Sequence, residues 1–166
     1  MQAWEIISGD GVDALNLNER EIPIPSPGQV RVRMNANSIN YRDLITIEGA
    51  GARKLPFPTI PNSDGAGVVT AVGKGVKLKE GDRVTSCFFE EWTAGEIGAS
   101  VMASALGGAR QGVLAEEVVL PEHGDIPTPT SLTDEEAATL PCAALTAWHA
   151  LTLPRPVKAG ETVLLL

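Results

Sequence analysis

The chain is short of cysteine: it has only two, Cys87 and Cys142, far apart and in no C-x-x-C pair. That excludes a disulfide framework and a zinc knuckle, both of which need closely spaced thiols, and leaves each cysteine as a small buried apolar side chain. Positive charge is also scarce, with thirteen basic against twenty-one acidic residues, a formal charge of -8, and no Lys/Arg cluster larger than a pair such as Arg53-Lys54. Without a surface that neutralises phosphates, DNA and RNA are excluded as partners. No apolar run approaches the roughly 20 residues of a membrane span. The start, Met1-Gln2-Ala3-Trp4-Glu5, lacks the charged and apolar blocks of a signal peptide. A cytoplasmic protein with no membrane partner is expected. The two histidines, His123 and His149, have no partner at metal-ligand spacing, and neither a Ser-His-Asp arrangement nor a G-x-S-x-G elbow is present, so hydrolase chemistry has no support.

What is present suits one domain, since 166 residues are enough for a single core. Seventeen glycines and twelve prolines divide the first two-thirds into short segments, several with the period of two that turns one face of a strand inward. Val30, Val32 and Met34 point one way and Arg31 and Arg33 the other, after a turn at Pro25-Ser26-Pro27-Gly28. Gly67 to Val72 reads as a second strand, Arg83-Val84-Thr85 as a third, and Val113 to Leu120 as a fourth. Many short strands with Gly/Pro turns indicate a small barrel or sandwich rather than βαβ repeats.

The pattern changes near residue 130. Thr133 followed by Glu136 forms a capping box, and Asp134, Glu135 and Glu136 suit the positive end of a helix dipole. Pro141 is expected to open a second helix with Ala144, Leu145, Trp148 and Leu151 on one face, and Pro154 and Pro156 to stop it. Residues 90 to 112 are rich in Gly, Ala and Ser with little periodicity, which fits either a functional loop or a flexible excursion; Trp92 within it could wall a pocket or anchor the loop. Gly65-Ala66-Gly67 enters a strand and Gly73-Lys74-Gly75 joins two, so neither is a phosphate loop, which must open a helix.

Four segments carry a resemblance: Ser38-Ile39-Asn40-Tyr41-Arg42-Asp43, Pro61 to Val69, Lys79-Glu80-Gly81-Asp82-Arg83-Val84, and Leu140 to Trp148. Together they resemble the medium-chain dehydrogenase/reductase superfamily, in particular its zinc-independent quinone oxidoreductase and enoyl reductase-like branches. The implied fold is mainly β with flanking helices, a GroES-like and partly open β-barrel. Residues 1–125 would be the GroES-like catalytic domain, 126–160 a helical connection, and 161–166 the first strand of a Rossmann domain whose glycine-rich turn would follow. NADP(H) or NAD(H) would then be bound mainly by that further domain. The chain alone is expected to be inactive, and the full-length protein to be a homodimer acting on a small molecule.

In zinc-dependent members of the superfamily a Cys, a His and a later Cys or Asp hold the metal, and the matching positions here are Asn40, Ser63 and Cys142. One thiol of three ligands implies an enzyme without zinc. Polarisation would then fall to hydrogen bonds, which suits hydride addition to a quinone or an activated C=C bond. The resemblance places Tyr41, the only tyrosine, at the cleft as hydrogen-bond or proton donor, with packing beside Leu44 as its other reading. Asn40 would meet the nicotinamide ribose or the substrate, or cap a turn. Arg42 stands at a proton-relay position that a guanidinium cannot serve, and would pair with Asp43 or Asp64 or reach a cofactor phosphate. Thr146 would lie near the nicotinamide or bond its own helix backbone. Ser63, Tyr41 and Trp92 are the expected substrate pocket. Two alternatives stay open: an alcohol dehydrogenase that holds zinc through Cys142 with unusual ligands, and a free-standing GroES-like binding module.

Overall fold

In a computed structural model, which describes residues 1–165, a five-stranded antiparallel sheet dominates. Its strands are β3 (Gln29–Ser38), β4 (Asp64–Val72), β5 (Arg83–Ser86), β6 (Glu117–Pro121) and β7 (Asp125–Pro127), in the order β6-β3-β4-β5-β7. A separate hairpin of β1 (Gln2–Ile6) and β2 (Leu15–Glu19) is stitched on by bridges from Ala3 to Ala115 and from Ile6 to Thr59. The mainly β architecture expected from the glycine and proline spacing is therefore observed.

The alternation in β3 works as read. Val30 and Val32 are fully buried and pack with Val69, Val84, Leu106, Val113, Val118 and Leu120 into the main core. On the other face Arg31 Nε donates to Thr70 Oγ1 at 3.0 Å and lies 3.2 Å from Glu117, so the outward charge is paired within the sheet. The β3–β4 approach is close enough that a Cβ at Gly67 would overlap the Arg33 carbonyl, which is why that strand position is glycine.

Two α-helices follow the strands, and two lie between them. Helix α1 (Tyr41–Glu48) buries Ile47 against Ile6, Ala14 and Ala50, a second small core, and α2 (Ala99–Met102) is a single turn inside the long loop. Helix α3 (Asp134–Ala138) starts at the expected capping box: Glu136 N–H donates to Thr133 Oγ1 at 3.2 Å, and Thr133 N–H to Glu136 Oε2 at 2.9 Å. Its Ala137 and Ala138 pack on Ala66.

Three expectations are corrected. The strand read over Val113 to Leu120 is ordered as β6 only from Glu117, because the N–H groups of Val113 and Leu114 turn instead to the carbonyls of Asn62 and Pro61. Pro141 stands in the first turn of the second helical segment, as expected, but that turn is not α-helical. It lies in a π-helical turn (Leu140–Ala144) that runs directly into α4 (Leu145–Thr152), with Ala144 N–H reaching back to Thr139 O at 3.4 Å. Proline has no N–H, so the i−4 ladder is interrupted there and the turn widens rather than ends. The strand expected at residues 161–166 is irregular and exposed over 161–165, with Leu166 outside the described residues. A strand requires a partner, and this run has none among the described residues. Helix α4 does stop just ahead of Pro154, but none of its residues is buried: Leu145, Trp148 and Leu151 are all exposed.

Candidate active site

Asp64, the first residue of β4, is fully buried, and the polar groups around it come from three distant parts of the chain. Asn62 makes this possible by adopting a left-handed φ of 73°, a conformation asparagine tolerates better than most residues, with its Oδ1 accepting from Asp64 N–H at 3.0 Å. Ser63 Oγ donates to Asp64 Oδ1 at 2.6 Å. Cys142 N–H, freed from the helix ladder beside Pro141, donates to Asp64 Oδ2 at 2.9 Å. Ser86 of β5 pins the strand from the other side, its Oγ accepting from Gly65 N–H at 3.0 Å and donating to Ser63 O at 3.0 Å.

Asn40 approaches the same carboxylate from the start of α1. It is the N-cap, with Asp43 Oδ2 accepting from its N–H at 2.8 Å in a capping-box arrangement. Its Nδ2 is buried and makes no hydrogen bond of normal geometry, although the amide stands near enough to Asp64 to steady its charge. The capping role and a free donor thus coexist in one side chain. Burial raises the Asp64 carboxyl above the ordinary range; Ser63, Asn40 and the Cys142 N–H oppose this, and the charge of Asp43 adds to it. Burial likewise pushes the Cys142 thiol up, with Asp64 and Asp43 adding and Arg42 opposing.

Next to this network, between α1 and the long loop, lies a cleft of ≈ 320 Å³. Arg42 and Thr46 of α1 form one side, and Arg53 and Leu55 of the following turn a second. The loop closes it with Phe88, Phe89 and Met102, and with the backbone around Gly108. The loop is neither free nor regular: Leu106 N–H donates to Phe88 O at 3.0 Å, Phe89 bridges Ala105, and Ser104 and Leu106 are buried. Arg42 is fixed three ways, 3.2 Å from Asp43, bonded to Leu106 O, and 4.5 Å above the Phe88 ring.

Of the residues singled out in the sequence, Asn40, Ser63 and Cys142 meet around Asp64, and Arg42 links them to the cleft. Arg42 takes the Asp43 pairing among its possible roles. Ser63 does not line the cleft as a pocket residue would, because it is fully buried and its hydroxyl is held by Asp64. Trp92 stands behind the cleft, edge-on to Phe89 at 5.8 Å with Nε1 donating to Gly95 O at 3.0 Å, so it braces the wall without lining it. Tyr41 opens α1 with 77% of its surface exposed. Thr146 is exposed on α4, one turn beyond Cys142. Asp64, Thr46, Arg53 and Phe88 were missed as site residues. The Phe88-Phe89 pair directly after a strand was a visible signal; nothing in the sequence distinguished the other three.

The donor set does not fit a catalytic zinc. Asn40 and Ser63 offer neutral groups already tied to the cap and to Asp64, and the Cys142 thiol is held toward its protonated form. Among the described residues, no three His, Cys, Asp or Glu side chains stand close enough to share a metal ion.

Residues 26–130 match the alcohol dehydrogenase GroES-like domain. The chain belongs to that family. Within the medium-chain dehydrogenase/reductase superfamily it is similar to a zinc-type alcohol dehydrogenase-like protein of Schizosaccharomyces pombe, at 43% identity over 79% of this chain and 39% of the relative. It is 36% identical to an NADPH-dependent alkenal/one oxidoreductase, chloroplastic, of Arabidopsis thaliana, over 100% of this chain and 40% of the relative. A solved NAD-dependent alcohol dehydrogenase superposes with a TM-score of 0.79 at 35% identity, covering 91% of this chain and 46% of that one. The chain thus spans about two-fifths of the length of these curated relatives (39% and 40%). No helix among the described residues is long and apolar enough to cross a membrane.

Proposed function

We propose that this GroES-like chain is the catalytic-side portion of a zinc-independent NAD(P)H-dependent oxidoreductase that reduces quinones or activated C=C bonds. The observation that supports this reading is the hydrogen-bonded network of Ser63, Asp64 and the Cys142 N–H, with the Asn40 amide beside it, at the positions the resemblance gives to metal ligands. The similarity to an alkenal/one oxidoreductase supports the substrate class; the zinc-type name of the yeast relative points the other way, and the donor chemistry favours the first.

The nicotinamide cofactor, when bound, supplies a hydride. This chain's own part is to meet the ring side of the cofactor with Asn40 and Thr146, and to place hydrogen-bond donors where negative charge develops on the substrate oxygen. The exposed Tyr41 hydroxyl is such a donor, with the buried Asn40 amide behind it beside Asp64. A preorganised donor of this kind typically contributes roughly 100-fold or more in rate. Dinucleotide binding requires glycine-rich backbone and helix N-termini that these residues do not provide, so this chain alone is expected to show no turnover.

The test is the whole reading frame assayed for NADPH and NADH oxidation with a quinone and an α,β-unsaturated ketone. Turnover undiminished by EDTA is expected, and Tyr41→Phe should lower kcat by roughly 100-fold. Loss of activity on chelation would overturn the zinc-independent reading, and an unchanged Tyr41→Phe rate would reduce that residue to a surface ring.

A further inference from the structure

The cleft beside α1 is lined by basic side chains in an otherwise acidic chain. The protein carries a formal charge of -8, yet two guanidinium groups line this cleft and no carboxylate does. Its remaining wall is largely apolar, built from Leu55, Phe88, Phe89 and Met102. The two arginines differ in how they are held. Arg42 is engaged by Asp43, by the Leu106 carbonyl and by the Phe88 ring, so its charge is answered within the chain and it has little freedom to rearrange. Arg53 forms no ion pair among the described residues, yet it is not adrift. Its backbone N–H donates to Gly49 O at 2.9 Å, and its Nε would lie 3.1 Å from a Cβ placed on Gly49, so the side chain folds back along the end of α1. A free guanidinium at the rim of an apolar cleft presents a fork of donors matched to a carboxylate, and burial of the apolar body beside it lowers the local dielectric.

We propose that this cleft selects molecules with an apolar body and a terminal carboxylate, with Arg53 binding the anion. The inference rests on the reductase reading for the identity of the reacting group and deepens it: the substrate would be an unsaturated carbonyl compound, or a quinone, that also bears an acidic tail. A carboxylate seated on Arg53 leaves the apolar chain along Phe88 and Phe89 and directs the rest of the molecule toward Arg42 and Thr46. Neutral compounds of the same shape would enter the same cleft with weaker affinity.

Binding of octanoate, octanamide and 1-octanol to the chain, followed by calorimetry or tryptophan fluorescence, tests this. Octanoate should bind at least about tenfold more tightly than either neutral probe, and the difference should shrink in high salt. Arg53→Gln should remove the preference while leaving octanamide binding unchanged, which shows that the variant is folded; Arg53→Lys should restore part of it. Equal binding of acid and amide, a preference that survives Arg53→Gln, or no binding of any probe would each overturn the inference. NADPH oxidation with a neutral enone by the unsubstituted whole reading frame is measured alongside: turnover there without a carboxylate preference overturns this inference alone, and absence of turnover overturns the reductase reading.

Discussion

Two aspartates are almost equally shielded from water, and their surroundings are opposite. Asp64 is 0% exposed and accepts from Ser63 Oγ and Cys142 N–H; Asp125, at the start of β7, is 8% exposed and neither of its oxygens has a partner. Asp125 instead faces Glu90, whose own carboxyl burial also raises, and Cys87, whose thiol is pushed up to about 11 by burial and by the charge of Asp125. Burying a carboxylate without donors costs several kcal/mol or forces a proton onto it. The region around Asp64 is therefore assembled to hold a polar group in place, whereas the region around Asp125 tolerates one. Being buried is common to both; being wired to three segments of the chain marks the candidate active site.

The largest expected effect comes from cutting that wiring. Asp64→Ala leaves the Ser63 hydroxyl and the Cys142 N–H without acceptors in a buried site and should cost about 2–4 kcal/mol in urea unfolding. Asp125→Asn should do the opposite. The carboxyl of Asp125 is raised well above the ordinary 3.8, chiefly by burial and then by Glu90. The folded state thus keeps a proton that the unfolded chain releases, and stability falls as pH rises from about 4 through the folded pKa. Removing the charge should raise stability by about 1–2 kcal/mol at pH 8 and leave it nearly unchanged at pH 4. A variant that is no more stable at pH 8 would mean that Asp125 has found donors. The smallest effect is on Cys87: its reaction with iodoacetamide at pH 8 should be roughly 100-fold slower than that of free cysteine, and only a few-fold faster in Asp125→Asn.

The contrast also shows what the sequence could and could not reveal. Val30, Val32 and Met34 alternate because one face of β3 is core, and the Thr133 and Glu136 pair is a local capping signal, so both were legible. Helix α1 was not read as a helix, since eight residues gain their order from Ile47 packing on Ile6 and Ala14 rather than from propensity. The positions of Asn40, Ser63 and Cys142 were legible through resemblance. The residue that joins them was not, because Asp64 is linked to Cys142 by a contact between distant parts of the chain that no local pattern encodes. The cleft was hidden for the same reason: Arg42, Arg53 and Phe88 belong to three segments, and their charge balance exists only after folding.

The central claim is that hydrogen bonds occupy the place where related enzymes hold a metal. Zinc titration of the purified chain by equilibrium dialysis at neutral pH, with the Cys142→Ala variant in parallel, tests it most directly. The account predicts no stoichiometric zinc on either protein. Stoichiometric binding that is lost in Cys142→Ala would contradict it.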